Sequence, residues 1–135
     1  MNDRAFFDTN VLVYIVGQND NRTASAEALV AGGGVVSVQV LNELAAVARR
    51  KLGMTWEDIQ EALAAIRVLC RSPVPLTVET HEAGLRIASQ YQFHIYDALV
   101  AAAALEAGCT TLYSEDLQDG QVIDGRLTIR NPFTT

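Results

Sequence analysis

The sequence predicts an α/β fold, a three-layer sandwich with a central, mainly parallel sheet of four to five strands. Short segments rich in β-branched and aromatic residues alternate along the chain with longer segments of helical periodicity. Helices separate successive strands, so the strands are expected to run parallel, with room for a hairpin only near the C-terminus. The 135 residues, half of them hydrophobic, are expected to form one domain, residues 1–135, with a substantial core.

The predicted strands are short and apolar, and they cover residues 5–7, 35–38, 76–78, 110–113 and 127–129. The predicted helices cover residues 11–16, 23–31, 39–52, 80–91 and 96–107, with one more after the capping residue Thr55. For the second helix, the expected apolar side consists of Ala24, Ala28, Leu29 and Ala31. The alanine-rich helix 96–107 is apolar on every side, which indicates that it is buried.

The composition limits the classes of function. A net charge of −6 argues against loose electrostatic binding to a polyanion, so action on nucleic acid would call for bound divalent cations. No apolar run reaches the roughly 18 residues of a membrane span, and the chain start lacks signal-peptide features. We therefore expect a cytoplasmic protein with no membrane partner. Cys70 and Cys109 lie in apolar segments without metal-binding spacing and are expected to be reduced, buried thiols.

Four carboxylates occupy positions that can converge. Asp8 directly follows the first predicted strand, Asp116 comes soon after the fourth, Glu43 falls in an apolar helix stripe, and Asp97 opens the most hydrophobic helix. Each also has a purely structural explanation. Asp8 could cap a helix, and Asp116 could belong to an ordinary polar turn. Glu43 could lie at the edge of the stripe, and Asp97 could stabilise a helix dipole. Ligands bind at the carboxyl ends of parallel strands, and clustered carboxylates need cations. Oxygen ligands favour Mg²⁺ or Mn²⁺ over zinc.

The segments around these acids resemble the PIN-domain ribonucleases, and most closely the VapC-type toxins of type II toxin–antitoxin systems. The matching segments occur in the family's order: Phe7-Asp8-Thr9-Asn10, Asn42-Glu43-Leu44, Tyr96-Asp97-Ala98 and Tyr113-Ser114-Glu115-Asp116-Leu117. The resemblance spans nearly the whole chain. It implies a PIN-like fold, hydrolysis of RNA phosphodiester bonds, a homodimer, and an antitoxin partner whose tail occupies the active site.

The resemblance also implies roles for individual residues. The catalytic, metal-site acids would be Asp8, Glu43, Asp97 and Asp116, which would bind one or two Mg²⁺ ions, with Mn²⁺ as a substitute. The fourth acid is the least settled in such families, so Asp119 is the alternative to Asp116. Three further residues would support the acids: Thr9 and Asn10 beside Asp8, and Ser114, which stands where the family often has Thr.

Other readings of the sequence remain. The main alternative is a catalytically silent module of the same fold that acts in a regulatory complex, although all four acids are present. A phosphotransfer receiver domain would need a late lysine, and Lys51 is followed by none. A haloacid-dehalogenase phosphatase would need a second aspartate where Asn10 stands. The run Arg49-Arg50-Lys51 either stabilises a helix C-terminus or contacts RNA phosphates.

Overall fold

The computed structural model describes residues 4–18 and 20–133. This part of the chain forms six helices and four strands. In order they are β1 (Ala5–Phe7), α1 (Thr9–Gly17), α2 (Thr23–Ala31), α3 (Val38–Arg50), α4 (Trp56–Leu69), α5 (Val78–Tyr91), α6 (Ile95–Glu106), β2 (Thr111–Tyr113), β3 (Val122–Ile123) and β4 (Leu127–Arg130). The predicted α/β class is confirmed. Among the residues described, no helix is both long and apolar enough to cross a bilayer.

The sheet has the strand order β1-β2-β4-β3, and its first three strands are parallel. In the register, Phe7 lies beside Tyr113, and Tyr113 lies beside Arg130. The ladder continues one residue further, because the Asp8 N–H donates to the Tyr113 carbonyl and the Ser114 N–H donates to the Arg130 carbonyl, both at 3.0 Å. Parallel pairing therefore brings Asp8 and Ser114 to the same edge of the sheet.

The prediction of a strand at residues 35–38 is wrong in its extent. The segment forms isolated parallel bridges, Val35 with Phe6 and Ser37 with Val74, in place of a full strand. The Ser37 side chain caps α3, so the helix begins at the next residue. A hydroxyl that satisfies the first free N–H groups of a helix thus ends the extended segment early.

The prediction of a strand at residues 76–78 is wrong for the same physical reason. The Thr77 hydroxyl accepts a hydrogen bond from the Thr80 N–H at 3.1 Å and caps α5. Helical structure therefore begins at Val78, and the extended pairing of this region is made instead by Val74.

A short hairpin near the C-terminus contains a strand that the sequence did not predict. The two residues of β3 pair antiparallel with β4. The turn between them contains Asp124 at φ 52° and Gly125 at φ 66°, both in the left-handed region that such tight turns use. A strand of two residues is too short to give a pattern that can be recognised in the sequence.

The core lies between the sheet and the helices and includes Phe6, Phe7, Leu12, Leu44, Leu112 and Ile129, all fully buried. The alanine-rich helix α6 is buried as predicted and packs against α5. This packing is close at Gly84, where an added Cβ would lie 2.6 Å from the Leu99 side chain. Cys70 and Cys109 are both buried, as predicted.

Helix α2 presents a different face to the core from the one predicted. Its buried residues are Ala26 and Val30, whereas Ala24, Ala28 and Ala31 are exposed. Nearly every position of this helix is small or apolar, so the sequence contains no distinct apolar stripe from which the inner face could be read.

Candidate active site

Asp8 caps α1 and is only 5% exposed. Its Oδ1 accepts a hydrogen bond from the Thr9 N–H at 2.7 Å. Its Oδ2 accepts from the Ser114 hydroxyl at 2.9 Å and from the Asn10 side-chain amide at 3.3 Å. Asp8 therefore caps a helix, which is one of the explanations that the sequence allows. Its second oxygen accepts from Ser114, which directly follows the neighbouring strand β2.

The electrostatic surroundings of Asp8 disfavour its charge. Burial raises the pKa of this carboxyl group from 3.8 to about 6, against the lowering effect of hydrogen bonds from Ser114 and Thr9. The negative charges of Asp97 and Glu43 raise the pKa further. Every ion pair among residues 4–18 and 20–133 involves other acids. Within the part of the chain that the structure describes, Asp8 is thus buried near two more carboxylates and has no ion-pair partner.

Glu43 is brought to Asp8 by the packing of α1 against α3. Its Oε2 accepts a hydrogen bond from the Thr9 hydroxyl at 3.3 Å, and its Oε1 accepts from the Gln39 amide at 3.2 Å. Thr9 therefore contacts both acids, since its N–H donates to Asp8 and its hydroxyl donates to Glu43. Asp8 and Glu43 are positioned by one residue at the start of α1.

Asp97 and Asp116 extend the acidic group. Asp97 lies partly buried in the first turn of α6, and Asp116 is exposed in the loop after β2. Burial raises the pKa of Asp97, the charge of Asp116 raises it further, and the charge of His94 opposes the rise. Asp97 thus interacts electrostatically with both Asp8 and Asp116. The four acids predicted from the sequence form one electrostatically connected group.

The acidic group is not a closed cage of ligands. As the side chains stand in the described residues, no three His, Cys, Asp or Glu groups are arranged to hold a metal ion. Mutual repulsion between carboxylates opposes closer approach in the absence of a cation. The donors of the group are carboxylate oxygens with hydroxyl and amide neighbours, a set that suits Mg²⁺ or Mn²⁺ and does not suit zinc.

Asp119, the alternative fourth acid, lies in the loop between β2 and β3 and is hydrogen-bonded to the segment after β4. Its Oδ1 accepts a hydrogen bond from the Asn131 N–H at 2.8 Å. The acid that acts on the charge of Asp97 is Asp116. The effect on Asp97 therefore connects Asp116 to the acidic group, whereas the hydrogen bond of Asp119 is with the backbone of Asn131.

A clamp made of Tyr14, Arg22 and Glu115 holds the loop that carries Asp116, and no local sequence pattern indicates it. The Tyr14 hydroxyl donates to Glu115 Oε1 at 2.6 Å, which raises the pKa of Tyr14 to about 12. The Arg22 Nε lies 3.3 Å from Glu115 Oε2, and its guanidinium stacks over the Tyr14 ring. The Glu115 N–H donates to the Asn10 side chain at 3.0 Å.

These features describe an α/β protein with four acidic side chains collected at the carboxyl edge of its sheet. The family model of the PIN domain matches residues 5–118, and the chain belongs to the PIN domain family.

Similar solved structures share the fold. One is the sarcin-ricin loop cleaving toxin VapC20 of Mycobacterium tuberculosis, with a TM-score of 0.68 and 23% identity over 83% of this chain and 89% of that chain. A toxin-antitoxin complex from Klebsiella pneumoniae gives a TM-score of 0.73 and 18% identity over 97% and 99%. VapBC2 of Rickettsia felis, bound to a promoter DNA fragment, gives 0.68 and 18% over 94% and 97%. No curated protein matches the sequence significantly.

Proposed function

We propose that this protein is a Mg²⁺-dependent endoribonuclease, with Mn²⁺ as a substitute ion, and the toxin of a toxin–antitoxin pair. Membership of the PIN domain family supports nuclease activity. The fold shared with a toxin that cleaves the sarcin-ricin loop supports RNA as the substrate class. The fold shared with toxin-antitoxin complexes supports an antitoxin partner, and we infer a homodimer from the same resemblance.

The observation that carries this proposal is the burial of Asp8 among neutral hydrogen-bond partners and other acids. A buried carboxylate is costly unless a cation compensates its charge. The raised pKa of Asp8 reflects that cost. A divalent cation would remove it, and strongly perturbed acids that cluster at one place are typical of functional sites.

We assign metal binding and catalysis to Asp8, Glu43, Asp97 and Asp116. A bound divalent ion would neutralise the charge of the scissile phosphate and lower the pKa of the attacking water. The Thr9 N–H fixes the orientation of the Asp8 carboxylate, and the Thr9 hydroxyl holds Glu43 beside it. Asp8 and Asp97 would be the main ligands, whereas Glu43 and Asp116 would complete the ligand set or orient the water.

The sheet supports a single domain. The first strand, β1, and the last, β4, come from opposite ends of the chain and pair with the same strand, β2. We propose that residues 1–135 form one nuclease domain that cannot be divided without loss of this sheet.

A catalytically silent binding module is the second candidate, because one structure of the same fold is bound to promoter DNA. The two functions differ in whether the purified protein cleaves RNA. The test is incubation of antitoxin-free protein with RNA in Mg²⁺, in Mn²⁺ and after chelation. We expect cleavage in both ions and none with the chelator.

The matched variants for this test are Asp97→Asn and Asp58→Asn. Asp97 belongs to the acidic group, whereas Asp58 is exposed in the first turn of α4. Asp97→Asn should fold and lose cleavage, and Asp58→Asn should cleave normally. Cleavage by folded Asp97→Asn at the native rate would overturn the proposal, and so would cleavage that continues after chelation.

A further inference from the structure

An open groove of about 400 Å³ adjoins the acidic group. The residues that line it are Gln39, Asn42, Glu43, Ala46, Arg50 and Tyr96. All but the last belong to α3, and Tyr96 lies in the first turn of α6, next to Asp97. The groove therefore offers two side-chain amides, a guanidinium and an aromatic ring directly beside one of the proposed catalytic acids.

Arg50 differs from its neighbour Arg49, although both are exposed in the last turn of α3. The guanidinium of Arg49 lies 5.0 Å from the centre of the Trp56 ring, and its Nη1 donates to the Met54 carbonyl at 2.9 Å. Arg50 lines the groove and makes no ion pair within residues 4–18 and 20–133. The favourable interaction with the helix C-terminus applies to both residues, so it does not explain why Arg50 borders the groove.

Tyr96 presents an aromatic ring on the surface beside the acids. Its side chain is 53% exposed, so core packing does not account for it. One neighbour is the His94 ring, whose centroid lies 5.9 Å away at an interplanar angle of 26°. An exposed aromatic ring next to a cationic side chain is the combination by which proteins hold single-stranded nucleic acid, since the ring stacks on a base and the cation contacts a phosphate.

We propose that this groove is a nucleotide subsite, in which Tyr96 stacks on a base of the RNA and Arg50 binds a phosphate flanking the scissile bond. The proposal rests on the proposed nuclease function and assigns the place where the substrate is held. Pockets for small ligands begin at about 300 Å³, so the groove can hold one nucleotide. A chain of net charge −6 needs local cations to attract RNA, and Arg50 supplies one at the edge of the acidic group.

The two amides complete the subsite. Gln39 Nε2 donates to Glu43, and the Gln39 side-chain carbonyl oxygen has no hydrogen-bond partner among the described residues, so it can accept from a base edge. The Asn42 side chain is exposed and can both donate and accept. Single-stranded RNA displays the base edges that such groups recognise. Gln39 and Asn42 would therefore influence which base is preferred at this position.

The test measures the binding of a short, fluorescein-labelled single-stranded RNA of mixed sequence in Mg²⁺, with Asp8→Asn as the background so that the RNA stays intact. Arg50→Ala should weaken binding about fivefold and lower the magnitude of the salt slope by about 0.7, as expected for one lost phosphate contact. Arg49→Ala is the matched control and should change the affinity by less than about twofold.

The aromatic contact has its own pair of variants. Tyr96→Ala should weaken binding about tenfold, because stacking on one base is lost. Tyr96→Phe keeps the ring and should restore the affinity of the background protein. A melting curve for each variant shows that it is folded, and all four are compared at the same salt concentration.

Equal affinities for Arg50→Ala and Arg49→Ala, or for Tyr96→Ala and Tyr96→Phe, would overturn the subsite. A change in the sedimentation of Tyr96→Ala without a change in RNA affinity would also overturn it, because the groove would then be an interface between copies of the chain. Cleavage by the protein with all four acids intact is measured separately. A native protein that binds RNA through Arg50 and Tyr96 and yet fails to cleave it would overturn the proposed nuclease function. That result would retain the groove as an RNA-binding site.

Discussion

Asp8 and Asp124 are both aspartates held by several hydrogen bonds, but the chain treats their charges in opposite ways. Asp124 accepts two hydrogen bonds from Arg86, at 2.7 and 3.3 Å, and one from the Tyr91 hydroxyl at 3.1 Å. The Arg86 bonds hold the pKa of Asp124 below its usual value. Asp8 has neutral partners and acidic neighbours, and its pKa is raised to about 6.

The difference is the one expected between an acid that stabilises the fold and the acid that is proposed to bind metal. Asp124 lies in the turn between β3 and β4, and its Arg86 contact ties that hairpin to α5. Hydrogen bonds from Arg86 and Tyr91 compensate the charge of this carboxylate within the fold. Asp8 has no ion-pair partner among residues 4–18 and 20–133, and proteins retain such unfavourable placements chiefly at sites that bind or react with something else.

The largest expected difference between the two positions is in catalysis. Asp8→Asn should lower the rate of RNA cleavage in Mg²⁺ on the order of a thousandfold, because a main metal ligand is worth several kcal/mol of transition-state stabilisation. Asp124→Asn should leave the rate within about twofold. The measurement is the initial cleavage rate of the two purified variants on the same RNA. A similar loss in both would mean that Asp8 acts through the fold and is no more catalytic than Asp124.

The sequence indicates which acids to consider, but it does not indicate the hydrogen bonds that orient them. Asp8 and Asp97 were visible because each interrupts or opens an apolar segment, and Glu43 because it falls in an apolar stripe. The contacts that orient Asp8 and Glu43 join residues 106 and 34 positions apart, Ser114 with Asp8 and Thr9 with Glu43. No local pattern records such pairs, since the first arises from the register of the parallel strands and the second from the packing of α1 against α3.

The errors in the fold prediction have a related origin. Residues 35–38 and 76–78 have strand-like composition, and each contains a hydroxyl residue that caps the following helix, Ser37 and Thr77. Whether such a segment remains extended or turns into a helix depends on the competition between sheet pairing and capping. Tertiary neighbours decide that competition, so composition alone overestimated the strands.

The second expected difference between Asp8 and Asp124 is in stability without metal. Because the pKa of Asp8 is raised in the folded state, the metal-free protein should lose stability as the pH rises from about 4 to about 6. At neutral pH the loss would reach up to about 3 kcal/mol, since each pKa unit is worth about 1.4 kcal/mol. Asp8→Asn should remove this penalty and raise the free energy of unfolding of the chelated protein.

Urea unfolding of the chelated protein at pH 4 and pH 7 measures this effect. The stability gained by Asp8→Asn should be present at pH 7 and largely absent at pH 4, where the native carboxyl group is itself protonated. Adding Mg²⁺ should stabilise the native protein more than the variant, because the ion binds the folded state through Asp8. A variant that is less stable than the native chain at both pH values would show that the Asp8 charge is already compensated.

The smallest expected effect is the loss of the Arg86 contact in Asp124→Asn. This pair is partly exposed, with side-chain exposures of 49% and 20%, so its loss should cost about 1 kcal/mol or less. Asparagine tolerates the positive φ of position 124, so the turn itself is retained. The pKa of Asp124 is lowered in the folded state, so its contribution is present at neutral pH and should be lost as the pH falls below about 4. In urea unfolding, the variant should therefore be less stable than the native protein at pH 7 and equally stable in acid, whereas Asp8→Asn is expected to be more stable than the native protein at pH 7. A difference that persists in acid would mean that packing, and not charge, anchors this hairpin.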